Sequence, residues 1–227
     1  MNDSAALRFT AWSAMVGAVF ALLNVAFSLA FTGEDTNMIF HGATVLAQPA
    51  ETRDLYRYAM LSDILGFYLP FLPIGAYLWR AFRDEAGLTG DAALLALVVY
   101  IVVGIGGASM QLAALHPLAH LHAGGDDAVK AAAEAAWTAV SNASQKGLWW
   151  AEGPLMMFWA LVVARHLKVA GWGRPVLLKI VAWAYGAFFV FGFFQDLDVL
   201  TELMVTVAVL VFPLWMLLFG WQLLRRK

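Results

Sequence analysis

Six long apolar stretches constrain the fold of this chain more than any other feature. Each is close to the roughly 20 residues that an α-helix needs to cross about 30 Å of hydrocarbon. The chain has 227 residues, of which 62% are hydrophobic and 13% charged, and a soluble domain of this length has too little interior to bury six such segments. The sequence therefore predicts an all-α, six-helix integral membrane bundle that forms a single domain over residues 1–227. The predicted spans are Phe9–Phe31, Arg57–Arg80, Ala92–His116, Gly147–His166, Pro175–Phe194 and Leu200–Leu224.

The distribution of Lys and Arg predicts the orientation of these spans. With the N-terminus inside the cell, ten of the 14 basic residues fall on the cytoplasmic side and only four on the other. The cytoplasmic set is Arg8, Arg80, Arg83, Arg165, Lys168, Arg174, Lys179, Arg225, Arg226 and Lys227, and the outer set is Arg53, Arg57, Lys130 and Lys146. Such a positive-inside bias predicts that both termini are cytoplasmic. The expected location is a cell membrane, specifically a bacterial inner membrane, with the lipid bilayer as the first partner.

Composition excludes several kinds of chemistry. The chain has no cysteine, so it has no disulfide, thiolate metal site or thiol nucleophile. The net charge is −2, the basic residues lie where a membrane protein usually carries them, and no nucleic-acid-binding motif is present. We therefore expect no nucleic-acid partner.

The polar residues inside the predicted spans lie in one layer, in the outer third of the membrane. We predict that this layer forms an outward-facing pocket for a small ligand, lipid, cation or protein partner. The candidate ligand-binding residues are Asn24, Asp63, Gln111, Glu152 and Glu202. A carboxylate that faces lipid costs about 2.5–3.5 kcal/mol at a helix centre, so Asp63 and Glu152 should face the interior of the bundle.

Three explanations for these two carboxyl groups remain open from the sequence. They could be paired with a cation such as Arg57, Lys146 or His116. They could remain protonated and hydrogen-bonded. They could instead line a site that binds a cation, a metal or a polar ligand.

Three histidines lie together at the outer end of the third predicted span. His116, His120 and His122 surround Pro117, which is expected to break or kink the helix because the residue before a proline avoids α geometry. Together with Asp63 or Glu152 these imidazoles would form a His/carboxylate site for a divalent metal such as zinc.

Two further segments carry local predictions. The Ala-rich segment from Asp126 to Val140 has apolar residues at helical spacing. It predicts a helix that lies over the bundle or on the lipid surface, with a lid over the pocket as the alternative. Pro154 lies inside the fourth predicted span and leaves the carbonyl of Trp150 without its helical donor, so the helix should bend or loosen between these residues.

The layout of the chain resembles a group of bacterial multi-pass membrane proteins, the "domain of unknown function 4386" family. The resemblance rests on the charged entry to the second span, Arg53-Asp54-Leu55-Tyr56-Arg57-Tyr58, and on the short basic turn Gly171-Trp172-Gly173-Arg174-Pro175. It covers most of the chain and implies a six-helix inner-membrane protein, without implying a catalytic residue, a substrate or a cofactor. A weaker likeness, to membrane-embedded metal hydrolases of the ceramidase type, rests on the outer histidines and acidic residues. Those enzymes look like seven-helix proteins, whereas this chain offers six spans.

These features favour a membrane bundle that binds a ligand or a partner over an enzyme. The alternative is a metal-dependent hydrolase that uses Asp63, Glu152 and His116. A third hypothesis, a proton-coupled transporter, lacks a visible sequence repeat and polar residues along the inner half of a transport path.

Overall fold

The computed structural model describes residues 3–33 and 35–226, and these residues form helices joined by turns and short loops. No β-strand is found among them, so the prediction of an all-α fold is confirmed. The α-helices are α1 (Asp3–Thr32), α2 (Gly42–Ala47), α3 (Ala50–Asp63), α4 (Phe71–Gly124), α5 (Asp127–Ala143), α6 (Glu152–Val169), α7 (Pro175–Phe191) and α8 (Asp198–Arg225). Two π-helical segments, Ile64–Tyr68 and Ser144–Leu148, and two 3-10 segments, Thr36–Phe40 and Gln195–Leu197, connect them.

Helix α4 turns back on itself at Gly87. This glycine has φ 52° and ψ −140°, a backbone conformation that side chains with a Cβ rarely adopt. The two arms, residues 71–86 and 88–124, therefore run antiparallel. Trp79 Nε1 donates a hydrogen bond of 2.9 Å to Asp91 Oδ1 near the turn, and the Tyr100 hydroxyl donates one of 3.2 Å to the Phe67 carbonyl farther away. The predicted second and third spans are thus neighbours, and most of the loop predicted between them is helical.

A second antiparallel hairpin joins the end of α4 to α5. His122 Nε2 lies 2.9 Å from Glu134 Oε1, and Gln145 Nε2 donates to Gln111 Oε1 at 3.4 Å. Helix α5 begins one residue after the predicted start, but it does not lie flat over the bundle. It stands beside α4 and buries Trp137, whose Nε1 donates a 2.9 Å hydrogen bond to the Ile39 carbonyl.

The long helices form a closed ring. Helix α1 packs against α8, α8 against α7, α7 against α6 and α6 against α4, while α3 and α4 return to α1. Small residues allow the helices of this ring to approach closely. A Cβ on Gly220 would lie 2.6 Å from the Ala11 carbonyl oxygen, and one on Gly17 would lie 2.8 Å from Met216 Cε. These contacts show that α1 and α8 are antiparallel, so both termini lie at one end of the bundle.

We call this end the terminal end and the opposite end, which carries residues 35–49 and 125–146, the loop end. The turn between α6 and α7 also lies at the terminal end, where Trp172 stacks on Phe219 with a centroid distance of 5.6 Å and contacts Phe82 at 6.5 Å. An aromatic core fills the bundle on this side. Its largest fully buried rings are Phe71, Tyr100, Trp159, Phe212, Trp215 and Phe219.

Several helices have the length and composition of membrane spans. Within the described residues, four helical stretches are long and apolar enough to cross a membrane: Ser4–Thr32, Ala50–Gly124, Asp127–Val169 and Asp198–Arg225. The stretch Ala50–Gly124 contains the reversal at Gly87. Helix α7 is apolar but shorter, at 17 residues.

Candidate ligand-binding cavity

A cavity of about 540 Å³ lies at the loop end, between α1, α3, α6, α7 and α8. Its volume is within the range of about 300–1,000 Å³ that is typical of small-molecule sites. The 3-10 segment Thr36–Phe40 contributes to its wall from the loop end. Two of the three acidic residues predicted inside the spans and one predicted amide line it, together with three tyrosines and a glutamine. These residues are Asn24, Tyr56, Asp63, Tyr68, Gln145, Glu152 and Tyr185.

Asp63 and Glu152 face this cavity and are shielded from the outside of the bundle. Their exposed fractions are 8% and 5%, so the prediction that both face the interior is confirmed. They also lie close enough for their charges to interact. Asp63 lines the cavity, and its buried Oδ2 atom has no hydrogen-bond partner among the described residues. A buried acceptor without a partner destabilises the fold, and such groups are rare in proteins.

Tyr68 joins the two carboxyl groups. Its hydroxyl donates a 2.9 Å hydrogen bond to Glu152 Oε1. Tyr68 also lies close enough to Asp63 to interact electrostatically with that carboxyl group. Tyr68 follows Asp63 by five residues, which in an α-helix would place the two side chains on different faces. The intervening segment is π-helical, with a hydrogen bond from the Leu69 amide to the Ile64 carbonyl. Because a π-turn takes in one more residue than an α-turn, Tyr68 comes onto the same side as Asp63.

Glycines in the second arm of α4 make room for this arrangement. The Tyr68 ring packs directly on Gly104, where a Cβ would overlap the ring. Trp149 packs on Gly107 in the same way, and its Nε1 donates a 3.1 Å hydrogen bond to the Gly104 carbonyl. Two of the glycines in this membrane helix therefore serve as surfaces against which cavity-lining aromatic residues pack.

The second π-helical segment, Ser144–Leu148, precedes Glu152. After it the backbone makes tighter bonds, from the Glu152 amide to the Trp149 carbonyl at 3.1 Å and from the Gly153 amide to the Trp150 carbonyl at 3.2 Å. The regular α-helical ladder is thus interrupted immediately before Pro154, and the predicted loosening is confirmed. Each acidic residue of the cavity adjoins an irregular helical segment. Such π-turns are frequent at functional sites.

Of the three explanations left open for these carboxyl groups, pairing with a basic residue does not hold. Arg57 Nη1 binds Asp54 Oδ1 at 3.0 Å, and His116 Nε2 lies 3.7 Å from the same oxygen. The Lys146 ammonium lies over the Phe40 ring, 4.5 Å from its centroid. Among the described residues, no ion pair includes Asp63 or Glu152. Each proposed cation is held at the loop end by a nearer partner.

Three of the predicted ligand-binding residues occupy different positions relative to the cavity. Asn24 lines it, and its Nδ2 donates a 2.9 Å hydrogen bond to the Ala59 carbonyl, which ties α1 to α3. Gln111 is fully buried behind the lining residue Tyr56, whose hydroxyl donates to Gln111 Oε1. Glu202 is exposed on α8 and does not line the cavity. The prediction that Glu202 and His116 converge on the cavity with the others is therefore wrong.

The predicted histidine metal site is not assembled. Helix α4 continues through Pro117, so of the predicted break or kink the break does not occur. In a continuous helix, His120 and His122 point in different directions because they are two residues apart. His122 turns towards Glu134 of α5, whereas His120 is exposed. Nowhere in residues 3–33 and 35–226 does a group of three His, Asp or Glu side chains have an arrangement that could hold a metal.

The three buried tyrosines of the site were not among the residues predicted from the sequence. Tyr68, Tyr100 and Tyr185 are buried, and the hydroxyl oxygens of Tyr100 and Tyr185 lie 3.4 Å apart beside the carboxyl groups. The sequence does contain one indication of Tyr68, because Pro70 lies two residues after it and predicts an irregular helix there. Tyr185 had none, since it lies in an otherwise apolar helix.

The chain is thus an all-helical protein with helices long enough to cross a membrane and a polar cavity among them, which is the architecture of an integral membrane protein. Comparison with protein-family models, curated proteins and solved structures finds no match.

Proposed function

We propose that this protein crosses the membrane six times, with both termini in the cytoplasm, and binds a ligand in a cavity that opens on the outer side. Helix α3, the π-helical segment after it and the first arm of α4 together provide one span, the second arm of α4 provides another, and α1, α6, α7 and α8 provide the other four. The positive-inside bias supports this orientation, because it places the terminal end in the cytoplasm and the cavity near the outer surface. The resemblance to the "domain of unknown function 4386" family implies the same six-span arrangement.

The free carboxyl oxygen of Asp63 is the observation that carries the binding proposal. Leaving a buried polar group unsatisfied costs about 1–3 kcal/mol, and among the buried side chains with such an atom only Asp63, of the described residues, lines the cavity. In this protein the group adjoins a cavity large enough for a small molecule, and a second buried carboxyl group adjoins the same space. A ligand that donates a hydrogen bond or carries positive charge would satisfy both.

Orientation can be tested directly because the chain contains no cysteine. Single variants Glu202→Cys, at the loop end, and Lys168→Cys, at the terminal end, should differ in their reaction with a membrane-impermeant thiol reagent applied to intact cells. We expect only the first to be labelled, with both labelled after the cells are opened. Labelling of Lys168→Cys in intact cells would contradict the orientation.

Ligand binding can be tested by filling the cavity. Thr206 lines the cavity but is itself exposed, so Thr206→Trp should occupy part of the space without disturbing the core. Native mass spectrometry of the parent protein should show a bound small molecule that the Thr206→Trp variant lacks. Thr201→Trp, on the same helix outside the cavity lining, is the control and should retain it. A parent protein without a bound molecule, or equal binding in all three proteins, would contradict the proposal.

A further inference from the structure

We infer that the occupant of this cavity is an amphiphile with an organic ammonium headgroup and a hydrocarbon chain, and that it enters from the outer leaflet between α1 and α8. This inference rests on the proposed ligand-binding function and adds the chemical class of the ligand and its route.

The first reason is charge. Two buried carboxyl groups contribute to the lining, and the described residues that line the cavity include no Lys, Arg or His. One oxygen of Asp63 has no partner, while Glu152 receives a hydrogen bond from Tyr68 alone among the described side chains. A cationic group placed here would meet two acceptors and no competing positive charge. An anionic ligand would have to approach the same two carboxyl groups without any basic residue to offset them.

The second reason is the aromatic content of the lining. Phe67, Tyr68, Trp149, Tyr185 and Phe188 all contribute to it. Aromatic faces attract organic cations, and sets of aromatic rings recognise quaternary ammonium groups in many proteins. Mg²⁺ and Ca²⁺ take six or more oxygen ligands, more than two carboxyl groups supply, and zinc sites usually include His or Cys ligands, which the described lining lacks. Rings and carboxyl groups together therefore match an organic ammonium group better than a metal ion.

The third reason is the apolar edge of the cavity. Leu29 of α1 and Val205 and Leu210 of α8 line the cavity while their side chains remain substantially exposed. All three lie on helices with the length and composition of membrane spans, in the halves nearer the loop end. In a bilayer this edge would face the acyl chains of the outer leaflet. A ligand whose head reaches Asp63 can thus leave its chain against this edge, in contact with lipid.

Photo-crosslinking tests the inference in the full-length protein, purified in neutral maltoside micelles. The probes are a dodecyltrimethylammonium with a diazirine in its chain and an alcohol with the same chain. The ammonium probe should cross-link to α1 and α8 near residues 25–29 and 205–210, and unlabelled dodecyltrimethylammonium should compete more strongly than dodecanol. The double variant Asp63→Asn/Glu152→Gln should weaken binding of the ammonium probe about tenfold or more, because it removes both carboxyl groups that attract the quaternary ammonium charge.

Matched controls distinguish the possible failures. Glu202→Gln removes a carboxylate from the same end of the protein but outside the cavity, and it should leave cross-linking unchanged. The double variant should still cross-link the alcohol probe in the same segments, which shows that it is folded. Two results would contradict a cationic headgroup: equal competition by dodecanol, or full retention of the ammonium probe by the double variant. Neither result would contradict the proposal that the cavity binds a ligand. Equal competition by tetramethylammonium would overturn the hydrocarbon chain.

If neither probe cross-links to residues of the cavity, both this inference and the ligand-binding proposal are overturned.

Discussion

The packing of Tyr68 on Gly104 gives a quantitative prediction for a single methyl group. Gly104→Ala places a Cβ inside the space of the Tyr68 ring, which is 3% exposed and lies against Tyr100 at a centroid distance of 5.3 Å. Because the ring is buried and already lies against Tyr100, overpacking should cost about 1–3 kcal/mol. If the ring moves, its hydrogen bond to Glu152 is lost, which adds about 1.5–3 kcal/mol.

Alanine also stabilises a helix interior relative to glycine, by about 0.5–1 kcal/mol. With the hydrogen bond lost, the net change in the free energy of unfolding for Gly104→Ala should therefore be a loss of about 1.5–5.5 kcal/mol. Gly106→Ala is the matched control, since the nearest atom to its Cβ would be Leu148 Cδ1 at an ordinary 3.7 Å. This control should be neutral or more stable by up to about 1 kcal/mol.

Unfolding of both variants by denaturant in mixed micelles, followed by tryptophan fluorescence, measures these changes. A Tyr68→Ala background removes the ring, and in that background Gly104→Ala should lose most of its cost. Two outcomes would refute the reasoning: equal effects of the two glycine substitutions, or an undiminished cost of Gly104→Ala without the ring.

Three further predictions concern the site and its surroundings. The double variant Asp63→Asn/Glu152→Gln should melt at the parent temperature or above, because no buried basic partner is left unpaired; a loss of about 3–5 kcal/mol would instead indicate a hidden ion pair. Pro154→Ala restores a backbone donor, so hydrogen exchange of the amides in residues 147–153 should slow; unchanged exchange would count against proline as the cause of the irregular helix. Trp137→Phe keeps an aromatic ring but removes the indole donor to the Ile39 carbonyl and leaves unfilled space at a fully buried position, so it should destabilise the protein by more than about 1 kcal/mol and increase proteolysis in residues 35–49; equal stability and equal cleavage would argue against this contact.

The loop end also shows the limit of reasoning from residue type alone. The histidines and Glu202 were predicted to belong to the site because their positions along the spans place them at the same depth in the membrane as Asp63 and Glu152. Depth is only one coordinate, however, and the direction of each side chain around its helix depends on continuity of the backbone. Helix α4 runs through Pro117 without a break, and α5 packs beside it, so the histidines turn to other partners.

The sequence by itself determined the all-helical fold, the apolar segments, the burial of Asp63 and Glu152 and the irregular backbone before Pro154. These properties follow from local free energies: the cost of exposing polar backbone or carboxylate to hydrocarbon, and the missing donor of proline. Each depends on a residue and its immediate neighbours along the chain, and can therefore be predicted without knowledge of the packing.

Only the tertiary structure decided which polar groups meet. The π-helical turn after Asp63 brings Tyr68 to Glu152, and Gly104 of a different helix makes room for the ring. The tertiary structure likewise decided the partners of the two basic residues. Arg57 binds Asp54, Lys146 lies over the Phe40 ring, and neither lines the cavity. Such contacts depend on the rotation and register of several helices at once, and these follow from the packing of the whole bundle, which no single segment encodes.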